Sequence, residues 1–269
     1  MELIKKQIHM NQWKGNVTTQ ITLDDDFIVP DTLDDMEQVM LDTGEIQIET
    51  VKNQGDKVAV KGKLEFQVLY RKESGGLQTL GGNIPFEEVV NVQGLEEKDY
   101  VGLNWMLEDL NTDMINSRKL GVQAIITLQV RVETLRDVEA AVDVDMENNS
   151  RPAGAGMSDT DGAGQVQVET LKRTANAAAI AVRRKDTYRI KEELSLTGGK
   201  PNIGQLLWRE MKLRDVTAKP LDGRLHLDGE LSVFVIYGAE DENMPVQWLE
   251  ETIPFSGDME MGDVKEDQI

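Results

Sequence analysis

Residues 57–70 read KVAVKGKLEFQVLY, and IPF follows at 84–86. Along this stretch Val58, Val60, Gly62, Leu64, Phe66, Val68 and Tyr70 are apolar or glycine, while Lys57, Lys61, Lys63, Glu65 and Gln67 are polar. Successive side chains of a strand point to opposite sides of a sheet, so this alternation predicts a long strand with one buried face. The pattern returns near the C-terminus as RLHLDGELSVFVIY (224–237), again followed by IPF at 253–255. A third run, 119–132, places Leu120, Val122, Ala124, Ile126, Leu128, Val130 and Val132 on one side and Gln123, Thr127, Gln129 and Arg131 on the other. Strands of this kind belong to antiparallel sheets.

The spacing between the two similar passages is constant. Gly62 and Gly229 lie 167 positions apart, as do Tyr70 and Tyr237, and the same step pairs Val39 with Leu206 and 1–6 with 168–173. After the loops 71–79 and 238–247 the step becomes 169, which a longer second loop explains. A period of this size implies two domain-sized copies rather than the turns of a solenoid. The expected fold is mainly β: a tandem repeat of two related antiparallel, β-sandwich-like domains with short helices. The first copy is assigned to 1–150 and the second to 168–269, joined by a Gly-rich linker at 151–167 within SRPAGAGMSDTDGAGQ (150–165). Short helices are expected in 30–41 and 200–208, each beginning near a proline, and an Ala-rich helix in 166–183. Copy two has no counterpart of 103–166. The chain is therefore expected to be a piece of a longer polypeptide, unless the strand at 119–132 serves the second copy. Gly62 and Gly229 are expected to admit close packing within the sheet, and Arg118–Lys119 to start the third strand.

Bulk composition narrows the function. With 29 basic and 49 acidic residues the net charge is −20, which repels nucleic-acid phosphates and anionic lipid. Neither nucleic-acid binding nor membrane insertion is expected. The absence of cysteine removes disulfides, zinc ribbons and thiol chemistry. No apolar run reaches the length of a signal peptide core or a membrane span, so a soluble cytoplasmic protein is expected.

Candidate chemistry is sparse. Asp24, Asp25 and Asp26 are hard-cation ligand types, but copy two carries Lys191, Glu192 and Glu193 there, and a solvated turn is the simpler reading. Asp159 and Asp161 resemble half of a calcium loop without its closing glutamate, and are read as linker. His226 stands two residues from Asp228 on the polar face of a strand, the spacing of a base and its orienting acid, yet copy one has Ala59 and Lys61 at those positions. His9 has no evident partner. GGK at 198–200 is followed by Pro201, GAG at 154–156 lacks a third glycine, and there is no G-x-S-x-G, so phosphate loops and the common nucleophile motif are missing. No catalytic residue, cofactor or metal is assigned, and no enzyme activity is expected. Of the four tryptophans, Trp105, Trp208 and Trp248 are the possible interface residues, Trp248 the foremost; core plugging is the competing role.

The strands VKGKLEFQVLY and LDGELSVFVIY, each followed by a polar loop and IPF, resemble the SPOCS-type repeat. So do Asn116-Ser117-Arg118-Lys119 leading into a long strand and the opening MELIKKQI. Such repeats occur in SipL-like spore-coat morphogenetic proteins. The resemblance implies a non-catalytic adaptor in the mother-cell cytoplasm at the forespore surface, linking the coat-basement ATPase SpoIVA to the coat. It carries no functional residue over. Family members typically end in a LysM domain, of which this sequence has no segment. Two other functions stay open: a self-associating subunit of a spore-surface polymer, completed by a strand from the next chain, and a carbohydrate- or peptidoglycan-binding module using tryptophans as stacking platforms.

Overall fold

The computed structural model describes residues 2–145, 182–184, 186–196, 198–240 and 245–266. The expected linker and most of the Ala-rich helix, together with Asp159 and Asp161, lie outside them. Among the described residues nine strands follow one another: β1 (Glu2–Ile28), β2 (Met36–Asn53), β3 (Lys57–Lys72), β4 (Leu77–Asn91), β5 (Tyr100–Asn116), β6 (Lys119–Asp145), β7 (Ile203–Leu221), β8 (Arg224–Ala239) and β9 (Val246–Glu260). They form three three-stranded sheets, β1-β6-β5, β2-β3-β4 and β7-β8-β9, with β2–β3, β3–β4, β5–β6, β7–β8 and β8–β9 paired antiparallel.

The chain divides into two compact units. The first comprises Met1–Trp13 and Thr134–Ile180. Its described part is the start of β1 and the end of β6, joined by the ion pairs Lys5–Glu139 (3.1 Å) and His9–Asp137 (2.5 Å). The second unit comprises Lys14–Glu133 and Ala181–Ile269 and holds the hydrophobic core.

The alternation read from 57–70 and 119–132 is realised residue by residue. Val58, Val60, Leu64, Val68 and Tyr70 of β3 are fully buried, as are Leu120, Val122, Ile126, Leu128 and Val130 of β6. They share one core with Leu23 of β1, Ile46 of β2 and Ile84 and Phe86 of β4. Each such side chain contributes about 1.5–3 kcal/mol by leaving water. Phe27 meets Phe66 edge-on at 4.5 Å.

The helices expected in 30–41 and 200–208 are absent: no described residue is helical. Segment 30–41 makes a tight turn, Leu33 N donating to Pro30 O (2.9 Å), and enters β2 at Met36. Segment 200–208 runs into β7 at Ile203. In both places the backbone groups a helix would satisfy internally are taken by the neighbouring strand, Val39 opposite Tyr70 and Leu206 opposite Tyr237, so tertiary pairing overrides local preference. Asp24–Asp26 lie within β1, not in a turn.

Sheets β2-β3-β4 and β7-β8-β9 match in detail. Tyr70 Oη donates to Asp34 O (3.0 Å) and Tyr237 Oη to Pro201 O (3.2 Å), partners 167 positions apart. Glu73 N donates to Asp35 O, Glu240 N to Asn202 O, Val92 N to Asp56 O and Met261 N to Gly223 O, keeping the same two steps. The bulges between Met36 and Gln38 and between Val39 and Leu41 recur between Ile203 and Gln205 and between Leu206 and Trp208. The repeated Gly…IPF spacing has a plain cause. Gly62 lies opposite Phe86 and Gly229 opposite Phe255, and each phenyl ring lies across its glycine. A Cβ on Gly62 would stand 2.8 Å from Phe86 Cζ and 2.6 Å from Gln47 O; one on Gly229 would stand 2.6 Å from Phe255 Cζ. The close packing expected at both glycines is therefore present.

The two sheets differ in what covers them. Over the first, Leu107 and Leu110 of β5 close on Gly44 of β2, and Ile46 is 7% exposed. At the matching positions of β7, Met211 is 59% and Leu213 63% exposed. Segment 186–196 lies against the β9 side, with Tyr188 5.9 Å from Phe255. On the opposite, outer faces, β7 packs against the first sheet: Leu207 and Trp208 bury with Leu69, flanked by Leu77, Phe234 and Ile236, and Thr79 Oγ1 donates to Leu207 O.

Candidate functional site

The loop between β1 and β2 is held by one side chain. Arg118, at the β5–β6 turn, donates Nη1 to Leu33 O (2.8 Å) and Asp35 Oδ1 (3.0 Å), and Nη2 to Val29 O (2.9 Å) and Asp31 Oδ1 (3.0 Å). The backbone completes the clamp, Val29 N donating to Arg118 O and Met36 N to Ser117 O. Lys119 then opens β6, as the sequence led one to expect. With both terminal nitrogens donating to protein acceptors, Arg118 organises the loop.

The acidic run in β1 is also accounted for locally. Asp26 pairs with Lys119 (2.6 Å) and Asp24 accepts from Gln123 Nε2 (3.1 Å). Among the described residues no cluster of three metal-ligating side chains forms.

His226 gains a neighbour that sequence reading missed. Cross-strand register sets it opposite Asp258, with Nδ1 2.6 Å from Asp258 Oδ1 and Nε2 3.2 Å from Asp228 Oδ1. Ser256 Oγ lies 3.4 Å from Nε2, so hydroxyl, imidazole and carboxylate stand in the order of a nucleophilic triad. The electrostatics oppose that use. The bond to Asp258, aided by both carboxylate charges, raises the imidazole above its ordinary pKa, while His226 and Arg224 lower that of Asp258. A triad histidine must be neutral to take the hydroxyl proton; here both neighbouring carboxylates favour the charged imidazolium, and Asp228 stands nearer to Nε2 than Ser256 does. The cluster is a cross-strand ion pair. Only the i+2 acid was visible in sequence, because Asp258 sits 32 residues away.

The tryptophans separate into two roles. Trp208 is 4% exposed and fills the contact between β7 and the first sheet. Trp105, on edge strand β5, is 47% exposed, and Trp248, on edge strand β9, is 55% exposed. Trp248 stacks beside Phe234 (6.4 Å between centroids) and lies opposite Ile236. Lys200 Nζ sits 4.6 Å over its ring and donates to its carbonyl. A groove of about 620 Å³ runs between β7 and the outer face of the first sheet, lined by Glu45, Glu65, Gln67, Arg209, Glu210 and Lys212. Its charges are mixed, so it selects neither anions nor cations. No described helix is long and apolar enough to cross a membrane.

A family model described as the SipL SPOCS domain matches residues 35–115 and 202–269. No curated protein and no solved structure matches the chain. The first matched segment holds β2 to β5 and the second β7 to β9, so the match takes in both sheets that share bulges, tyrosine bonds and glycine–phenylalanine pairs, together with β5. More than half of the chain is covered, and the protein belongs to the SipL family of SPOCS-domain proteins.

Proposed function

We propose that the chain is a non-catalytic structural adaptor of endospore formation, built from two copies of one β-sandwich-like unit. It acts in the mother-cell cytoplasm at the forespore surface by linking the coat-basement ATPase SpoIVA to the coat. The observation that carries this reading is the SipL SPOCS match over 35–115 and 202–269. The polar side chains support it: Arg118, Asp24, Asp26 and His226 are each engaged in holding strands or loops together. Direct binding of purified SpoIVA to the purified chain, by biolayer interferometry, tests it. Saturable binding is the expected result; no binding under conditions where SpoIVA hydrolyses ATP removes the adaptor role from these residues.

A polymer-forming role is the second reading, favoured by the apolar inner face of β7, where Leu206, Met211 and Leu213 are half or more exposed. The glycan-binding reading is weakened at Trp248, because Lys200 already occupies a face of the ring.

A further inference from the structure

The contact between β7 and the first sheet is two-sided, and each side has a counterpart that is exposed in large part, Ile236 alone of these already flanking the internal contact. One side is the bulge of β7, with Leu207 at 3% and Trp208 at 4% exposure. The other is the outer face of the first sheet, carrying Leu69 at 1% exposure, Leu77 and Thr79. At the steps that relate the two sheets, the bulge pair corresponds to Met40 and Leu41 of β2, and these are 49% and 41% exposed. Leu69, Leu77 and Thr79 correspond to Ile236, Val246 and Trp248, of which Val246 is 39% and Trp248 55% exposed. The same chemistry that is buried once within the chain is thus presented twice on its surface, as one bulge and one receiving face. The position that donates a hydroxyl hydrogen bond in the buried contact carries Trp248, whose indole N–H is also a donor.

We infer that a second copy of this chain docks its β2 bulge, Met40 and Leu41, onto the Ile236–Val246–Trp248 face, repeating the internal contact between molecules. The occupant is a second copy because its β2 bulge has the geometry that this kind of face already receives inside the chain. Since bulge and face are different surfaces, the contact is heterologous and each added copy leaves one of each free, giving linear head-to-tail chains. A charge of −20 on each copy opposes the approach, so association strengthens as salt screens it. Nothing in this depends on SpoIVA binding.

Sedimentation velocity from low micromolar to several hundred micromolar protein tests the inference. The wild type is expected to form concentration-dependent oligomers, more at high salt. Trp248→Glu removes the face and Met40→Glu the bulge, and each is expected to weaken association at least about tenfold, the loss of a central anchor. Trp248→Thr, which installs the residue found in the first sheet, guards against misfolding, and far-UV circular dichroism checks all variants. An equimolar mixture of the two Glu variants has one working bulge and one working face, and is expected to form dimers that grow no further. A wild type that stays monomeric overturns the inference. So does association that survives both Glu substitutions, a mixture that forms no dimer, or association abolished by Leu213→Glu on the inner face of β7.

Discussion

Gly62 is the residue at which the fold tolerates least. Its missing side chain is the space that Phe86 occupies, and its nearest other neighbour is a backbone carbonyl that cannot swing away. Gly62→Ala is expected to destabilise the chain by about 1–3 kcal/mol through overpacking, read as a lowered urea midpoint at unchanged slope. His226 gives the second prediction at this scale. Its folded pKa lies above 6.5, so the stabilisation from its ion pair is fully present below that value and fades as pH rises through the folded pKa. Asp258 works in the opposite direction: its pKa is lowered, so its contribution holds above 3.8 and is lost as pH falls through the folded value. Titrating the imidazole by NMR is expected to give an apparent pKa above 6.5. Asp258→Asn is expected to bring it down further than Asp228→Asn, because the Asp258 bond is the larger cause. A value at or below 6.5 in the wild type would contradict the geometry.

Among elements, β3, β6 and β8 were legible before any coordinates because each alternates over seven pairs of positions, and only one face of a sheet can satisfy that. The regions around 30–41 and 200–208 misled for a physical reason. Their prolines and short apolar runs resemble helix starts, whereas their outcome is decided by Tyr70 and Tyr237, tens of residues away. The Arg118 clamp was equally hidden, since its acceptors lie more than eighty positions upstream. Arg118→Ala leaves Leu33 O, Val29 O and two carboxylates without their donor. The expected cost is about 2 kcal/mol, together with faster hydrogen exchange at the start of β2, where Met36 N bonds to Ser117 O. Unchanged exchange there would show that the backbone bonds suffice without the guanidinium.

For the whole molecule, Trp208 is the residue that ties the second sheet to the first. Trp208→Ala is expected to cost about 3–5 kcal/mol and to split one calorimetric transition into two, the β7-β8-β9 sheet melting first. A single, merely lowered transition would mean that other contacts couple the sheets. Sequence had marked both Trp208 and Trp248 as possible interface residues, Trp248 the foremost, with core plugging as the competing role. Only the position of each on its sheet, one facing a neighbour and one facing water, distinguishes a fastening inside the chain from a surface to offer a partner.

The uneven cover over the two sheets carries a consequence for time as well as for space. Backbone amides of β3 lie beneath a complete roof, and reach solvent only when the entire core comes apart. Those of β8 share the same ladder geometry under half a roof, with Leu213 and Met211 bare beside them. Their openings are expected to be smaller and more frequent, read as faster native-state hydrogen exchange in β8 than in β3. A chain of two near-identical sheets thus keeps two clocks, a slow one for endurance and a fast one for exchange with its surroundings.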